Sequence, residues 1–231
     1  MAGASMKDIK LRIKSVESTM QITKAMELVA SSKLRKAKER QEKCRPYFMG
    51  LKQTLESIET ATNDFSSPYQ QQREVKKRCL IVIAGDRGLA GGYNSNVFKS
   101  IQPMLEEGPV CVLPIGKRTV DFFARNGVEM LTTEFAEAAS VSVSDCFTIS
   151  NLITKGYLSG QYDEVSVVYT RFVSMLTQTP ARDALLPLEK LERKAETGVR
   201  QLVLYEPSPS AVYDAIVPNY IAGMIYGAMC E

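Results

Sequence analysis

The chain has 231 residues, of which 45% are hydrophobic and 24% charged, and its formal net charge is +3. This composition is that of ordinary folded protein, with enough apolar side chains for one core or two small ones. Histidine is absent, which removes the usual general base of serine and cysteine hydrolases and the commonest transition-metal ligand.

No stretch of the sequence approaches the roughly 18–20 uninterrupted apolar residues that a membrane span needs. The N-terminus, with Lys7, Asp8 and Lys10, has no hydrophobic signal-peptide segment. We therefore expect a cytoplasmic protein, or one that is attached to a membrane through partners.

The cysteines lie at wide and irregular spacing, without the paired spacings of zinc sites or disulfide frameworks. We interpret them as small apolar core residues. They are Cys44, Cys79, Cys111, Cys146 and Cys230.

The first sixty residues predict one long helix with a coiled-coil seam. Alternating steps of four and three residues from Ile9 to Ile58 reach fifteen positions, and twelve of them are apolar; the exceptions are Thr23, Glu27 and Gln41. A repeat of 3.5 residues over seven heptads is typical of a helix in a coiled coil. Fifty such residues extend about 75 Å, so the helix is expected to protrude from the rest of the chain, with a bend but no end at Pro46.

The middle of this helix carries two features that suit a partner. Around Thr23 and Glu27 the seam becomes polar, while Ile22, Met26 and Val29 form an apolar strip on a neighbouring face. The following segment, 33–40, holds five cations in eight residues and would suit an acidic protein surface or nucleic-acid phosphates.

After a polar, turn-rich connection at 64–77, the pattern predicts an α/β body. Strands alternating with helices imply a mostly parallel, Rossmann-like sheet with right-handed crossovers. The predicted strands are Cys79–Ala84, Val110–Ile115, Val165–Tyr169, a weaker Val128–Phe135 and an edge strand Gln178–Leu186. The predicted helices lie near Ser95–Glu106, Arg118–Asn126 and Ser144–Leu158.

A glycine-rich loop, Gly85–Asn94, directly follows the first predicted strand, where α/β proteins often bind phosphate. Its glycines match neither the dinucleotide fingerprint nor a P-loop. We interpret Asp86 and Arg87 as exposed contacts to a protein neighbour. No cofactor, metal or catalytic residue is expected.

The last segment predicts a short extended piece at Leu202–Pro207 and then a helix. Ser208 or Ser210 would cap this helix, whose apolar residues cover most of its circumference.

Several motifs in this order resemble the gamma subunit of F-type ATP synthases, over essentially the whole chain. They are Ile9–Val16, Gln21–Ala30, Lys33-Leu34-Arg35, Arg45-Pro46-Tyr47, Asp86–Asn94, Leu186-Pro187 and Tyr205-Glu206-Pro207. The resemblance implies a non-catalytic rotor shaft. Its turning, driven by proton flow, would change the nucleotide affinity of the catalytic beta subunits.

The resemblance also implies partners and contact residues. Met26, Lys33, Arg35 and Lys36 match the helix that faces the beta subunits, within the hexamer of alpha and beta subunits. Asp86 and Arg87 match the loop at the lower rim of that hexamer. Tyr205 and Glu206 match the foot near the epsilon subunit and the c ring. The implied location is the cytoplasmic face of a bacterial plasma membrane, peripherally and through partners.

The resemblance gives domain boundaries and two departures. We expect a shaft helix at 1–62, a linker at 63–77, the Rossmann-like body at 78–207 and the start of a second shaft helix at 208–231. Family members continue for several dozen residues past Glu231, so most of that second helix is expected to be missing. The regulatory cysteine pair of chloroplast versions does not appear, so no thiol switch of that kind is expected.

From the residues alone, two other functions stay open. One is an α/β nucleotide-binding module with a helical arm. The other is a nucleic-acid clamp built on the basic helix, although segment 33–40 has no aromatic residue.

Overall fold

The computed structural model describes residues 5–61, 65–189 and 203–231. The chain divides into two compact units, Met1–Lys43 and Cys44–Glu231. The helices are α1 (Met6–Ala61), α2 (Tyr93–Glu107), α3 (Lys117–Arg125), α4 (Val143–Leu158) and α5 (Pro209–Cys230). The strands are β1 (Arg78–Ile83), β2 (Val110–Ile115), β3 (Glu129–Met130), β4 (Glu164–Phe172) and β5 (Gln178–Leu186).

The first unit is helical from Met6 onward. Every residue from 5 to 33 is exposed, including the seam residues Ile13, Val16 and Met20, at 52%, 64% and 62%. Soluble proteins rarely leave so long an apolar stripe uncovered. The long helix predicted from the heptads is confirmed, and the part of its seam from Ile9 to Met20 is exposed.

Helix α1 runs through Pro46 without ending there, as predicted; a bend at that residue stays a prediction. Its last turns belong to the second unit, where Leu55 and Ile58 are 3% and 0% exposed. The same helix thus changes from a fully exposed segment to one that fills a core.

The second unit is built on a five-stranded sheet with the order β3-β2-β1-β4-β5. Strands β1 to β4 are parallel, while β5 pairs antiparallel with β4 along the edge. The predicted α/β class and mostly parallel sheet are confirmed.

Both faces of the sheet are covered, which explains why its central strands are continuous apolar runs. On one face, Cys79, Ile81 and Ile83 of β1 pack with residues of α4, α5 and the end of α1. On the other face, Leu80 and Val82 pack with α2 and α3. Alternate residues of one strand therefore serve two separate cores.

The fourth predicted strand was too long. Only Glu129 and Met130 pair with β2, followed by one more backbone bond from Leu131 N to Val112 O, 2.8 Å. The chain then turns, with the Thr132 hydroxyl accepting a bond from Glu134 N. Phe135, which made the segment look strand-like, fills the core from this turn.

Residues 203–207 form neither helix nor strand, and Leu202, at the start of the predicted extended piece, lies outside the described residues. Ser208 then caps α5, its hydroxyl accepting a hydrogen bond from Ala211 N at 3.2 Å. Of the two predicted caps, Ser208 is the correct one. The domain boundaries drawn from the sequence stay a prediction.

A polar cluster joins the end of α1, the segment after it and α5. One oxygen of Glu59 accepts hydrogen bonds from Gln70 Nε2 and from the Tyr213 hydroxyl, both at 2.6 Å. Nearby, the Ser67 hydroxyl donates to Asp214 at 2.6 Å. Tyr213 is 1% exposed, and burial, reinforced by its bond to Glu59, raises the pKa of its hydroxyl. The segment after α1, which was predicted to be a polar linker, is therefore partly buried.

Replacing Glu59 with alanine is expected to lower the free energy of unfolding by roughly 2–3 kcal/mol, because two buried donors lose their acceptor. The matched control is Glu56→Ala, on the same helix, where only an exposed pair with Lys52 is lost; its cost should stay below about 0.5 kcal/mol. Urea unfolding followed by tyrosine fluorescence measures both. Equal costs for the two variants would contradict the proposed weight of the Glu59 cluster.

Candidate partner-contact surfaces

Four of the sequence-predicted contact residues lie on α1 in the first unit. Met26 is 53% exposed, and Lys33, Arg35 and Lys36 are exposed. Arg35 forms only a long ion pair with Glu39, at 3.7 Å and with the arginine side chain 75% exposed. An apolar side chain and a cationic run are thus exposed on this part of α1.

In the second unit, Asp86 lies directly beyond β1 and binds its own chain. Its carboxylate accepts hydrogen bonds from the backbone N–H groups of Lys117 at 3.2 Å, Ala138 at 2.8 Å and Ala139 at 3.0 Å. These bonds hold the loop after β1 against the start of α3 and the turn at Ala138–Ser140. Sequence reasoning assigned Asp86 to a partner; its contacts within the chain add a positioning role, and the partner contact stays a prediction.

Asn94, in the first turn of α2, closes the same loop. Its Oδ1 accepts a bond from Gly85 N at 2.8 Å, and its Nδ2 donates to Arg87 O at 3.2 Å. Leu89 lies at the tip with a φ of 62° and is 97% exposed. Since this left-handed conformation is unusual for a side chain other than glycine, the loop is held in a shape that presents Leu89 and Arg87 to solvent.

The geometry of the Gly85–Asn94 loop is poorly suited to binding phosphate. Phosphate loops offer free backbone N–H groups to an anion, but Gly85 N is already bonded to Asn94, and the Asp86 carboxylate adds negative charge beside it. These contacts argue against the nucleotide-binding alternative.

A second apolar feature, which sequence reasoning missed, lies beside this loop. The turn between β4 and β5 exposes Met175 and Leu176, at 68% and 99%. Both line a shallow cavity of about 330 Å³ together with Ala90 and Gly92. The available signal was an apolar pair in a hairpin turn, where polar residues are usual. We call Arg87, Leu89, Met175 and Leu176 the loop–hairpin surface.

Tyr205 and Glu206 lie elsewhere in the second unit. Tyr205 is half-buried, and its hydroxyl lies 3.3 Å from Ser57 Oγ near the end of α1. Glu206 is exposed, and the neighbouring Leu204 is 81% exposed. The predicted foot is therefore a mixed polar and apolar surface, with no described contact to the loop–hairpin surface.

Two features are absent from the described ranges. Residues 5–61, 65–189 and 203–231 contain no group of three or more His, Cys, Asp or Glu side chains arranged to hold a metal ion. Within the same ranges, no helix combines the length and apolarity needed to cross a bilayer.

The solved structures give the chain's fold. It is similar to a chain in the central stalk and c-ring structure of the Tetrahymena thermophila mitochondrial ATP synthase, with a TM-score of 0.62. The match covers 90% of this chain and 91% of the other, at 21% identity. The combination of long helix, mostly parallel sheet and C-terminal helix therefore occurs in a solved central stalk.

The sequence comparisons are more specific. The family model described as ATP synthase matches residues 5–231. The chain is 41% identical to the ATP synthase gamma chain of Ruminococcus albus and 44% identical to that of Alkaliphilus metalliredigens. It is also 37% identical to the Acetobacterium woodii gamma chain that is named sodium ion specific. These matches cover 98–99% of this chain and 80–81% of the relatives. The chain therefore belongs to the ATP synthase gamma chain family.

Proposed function

We propose that this chain is the central rotor shaft of an F-type ATP synthase, coupling ion-driven rotation to conformational change in catalytic beta subunits. The observation that carries the proposal is the exposed seam of α1, in a chain whose full described length matches the gamma family. The seam positions from Ile9 to Met20 are exposed, and an apolar stripe of this kind needs other polypeptide to cover it. A bearing formed by surrounding subunits would supply that cover.

The proposed mechanism needs no chemistry in this chain. Rotation of an asymmetric shaft presents different contacts to each beta subunit in turn, and each contact set favours a different conformation and nucleotide affinity. The chain is then a non-catalytic subunit, and ATP is made or hydrolysed at sites on its partners.

The contacts are proposed in three groups. On α1, Met26 and the cations Lys33, Arg35 and Lys36 face the alpha and beta subunits, supported by their exposure. The loop–hairpin surface faces the lower rim of the hexamer, with Arg87 as the contact and Asp86 holding the loop in place. Tyr205 and Glu206 face the epsilon subunit and the c ring.

Reversing the charges of Lys33, Arg35 and Lys36 to glutamate is expected to weaken binding to an isolated alpha–beta hexamer by about tenfold or more, and more strongly at low salt. The control is Lys99→Glu with Arg125→Glu, two cations on α2 and α3 outside the proposed contacts. Surface plasmon resonance at several salt concentrations measures the affinities. An unchanged affinity for the triple variant would show that these cations are not part of the interface. If the chain with its native residues did not bind the hexamer, the proposed function would be contradicted.

A rotation assay distinguishes a rotor shaft from a protein that only binds the hexamer. With alpha, beta and the chain carrying a complete second shaft helix reconstituted on a surface, a bead attached to the second unit is expected to turn during ATP hydrolysis. The chain alone is expected to hydrolyse no ATP. Hydrolysis by the purified chain would instead favour a catalytic site of its own.

The proposal also covers the coupling ion and the location of the protein. We propose protons as the coupling ion, although one relative, from Acetobacterium woodii, is named sodium ion specific. We also propose a peripheral position on the cytoplasmic face of a bacterial plasma membrane, attached through the c ring and epsilon. Sodium-dependent ATP synthesis in membrane vesicles of the source cell would show that the coupling ion is sodium and not the proton.

A further inference from the structure

The fold brings together two cysteines that are far apart in sequence. Cys79 of β1 and Cys111 of β2 are direct partners in the parallel register. Neighbouring strands lie about 4.8 Å apart, and this is within the range of about 4.4–6.8 Å between Cα atoms that a disulfide spans. Both residues are 0% exposed and belong to the same core, so both side chains project from the same face of the sheet.

The pair lies close to the edge of the sheet where the strands begin. Each cysteine is the second residue of its strand, and Lys77 directly precedes β1. The Lys77 ammonium forms an ion pair of 2.7 Å with Glu129 of β3, and these side chains are 30% and 60% exposed. The Lys77 charge lies near enough to both sulfur atoms to interact with them.

The surroundings distinguish the two thiols. Hydrogen bonding from Cys79 lowers the pKa of Cys111, and the Lys77 charge acts in the same direction against the effect of burial. The same interaction raises the pKa of Cys79. The Tyr162 hydroxyl also lies close to Cys79 while donating to Ile153 O at 2.9 Å. Cys111 is thus the more readily ionised of the two thiols, an asymmetry that is also found in reactive dithiol pairs.

We propose that Cys79 and Cys111 form an oxidisable dithiol that closes to a disulfide between β1 and β2 in the folded protein. With hydrogen peroxide as oxidant, the Cys111 thiolate attacks one oxygen and becomes a sulfenic acid, while the other oxygen leaves as hydroxide and takes up a proton. The Cys79 thiol then attacks the sulfenic sulfur, and water leaves with the Cys79 proton. Two thiols and one peroxide give one disulfide and two waters.

The other three cysteines provide internal comparisons, and the inference is independent of the rotor function. Burial raises the pKa of Cys146 to about 12, so its thiol is expected to be inert. Cys44 and Cys230 are half-buried on helices α1 and α5. Only Cys79 and Cys111 are paired in register on neighbouring strands.

The test is peptide mapping after oxidation of the native chain. The protein is treated with hydrogen peroxide, quenched with catalase, unfolded in guanidinium with N-ethylmaleimide and digested with trypsin without reduction. Cleavage after lysine and arginine places the two cysteines on separate peptides, 79–87 and 100–117. We expect these two peptides to be linked, with Cys44, Cys146 and Cys230 still alkylated. Oxidation of the unfolded chain serves as the reference, and the folded chain should enrich the 79–111 link at least tenfold.

Three variants sharpen the result. Cys79→Ser, which keeps a hydrogen-bond donor beside Cys111, should leave Cys111 as a sulfenic acid that dimedone labels. Cys111→Ala should leave Cys79 unreacted, and Cys146→Ala should form the link as the wild type does. Full alkylation of both thiols in oxidised wild-type protein, or a dominant link between other cysteines, would overturn the proposal. The peptide map of the oxidised wild-type protein is sufficient to test the proposal. The test therefore still stands if a variant fails to fold.

Discussion

Replacing Gly116 with alanine is expected to lower the free energy of unfolding by at least about 3 kcal/mol, because backbone strain and a backbone clash act together. Gly116 lies between β2 and α3 with a φ of 103°, a conformation that residues with a Cβ atom rarely adopt. An added Cβ would lie 2.1 Å from the Ala84 carbonyl oxygen and 2.9 Å from its carbon. Neither atom belongs to a side chain that could rotate away, so the end of β1 would have to move.

Such a movement would also disturb the proposed contact loop. The residue after Gly116 donates its N–H to Asp86, and Arg118 N donates to Gly85 O at 3.2 Å. The alanine variant is therefore expected to bind the alpha–beta hexamer more weakly even where it remains folded. Amide exchange of residues 85–92 should rise in step with the loss of binding.

The control for Gly116 is Gly108→Ala at the end of α2. Its φ of 172° is extended backbone that any residue adopts, and no atom lies within 4 Å of an added Cβ. Its effect should stay within about 0.5 kcal/mol in the same urea titration. If the two alanine variants had equal stabilities, the strain and the clash at Gly116 would not be real.

The sequence was sufficient for the architecture because most of its elements carry strong local signals. Strands β1, β2 and β4 are buried on both faces and so appear as unbroken apolar runs, and the heptads of α1 repeat over its length. The signal failed at β3, where Leu131 and Phe135 look like strand residues but fill the core from a turn. Burial alone does not distinguish these two conformations.

The contact residues were only partly accessible to sequence reasoning. The glycines around Asp86 marked the loop as unusual, but its three backbone donors come from residues 117, 138 and 139, which only the fold brings near. Likewise, the facing of Cys79 and Cys111 depends on strand order and register. Spacing along the chain carries no information of that kind.

Replacing Gly223 with alanine is expected to cost roughly 2–3 kcal/mol, through overpacking where α5 crosses the end of α1. An added Cβ would lie 2.1 Å from Phe48 Cδ1. The Phe48 ring has little freedom to retreat, since it packs against Tyr47 and Tyr226 with ring centroids 5.2 and 6.5 Å away. The change therefore forces a shift between two helices of the second unit.

One helical turn further on, Gly227→Ala provides a control with the opposite sign. No atom lies within 4 Å of its added Cβ, so only the gain from replacing a helical glycine remains, up to about 1 kcal/mol of stabilisation. Helix propensity alone predicts the same gain at both positions, so the difference between them isolates the contact with Phe48. Combining Gly223→Ala with Phe48→Leu should recover about 1–2 kcal/mol in a double-mutant cycle. Additive effects would place the cost of Gly223→Ala outside the Phe48 contact, and two stabilised alanine variants would show that α5 and α1 are not packed this closely.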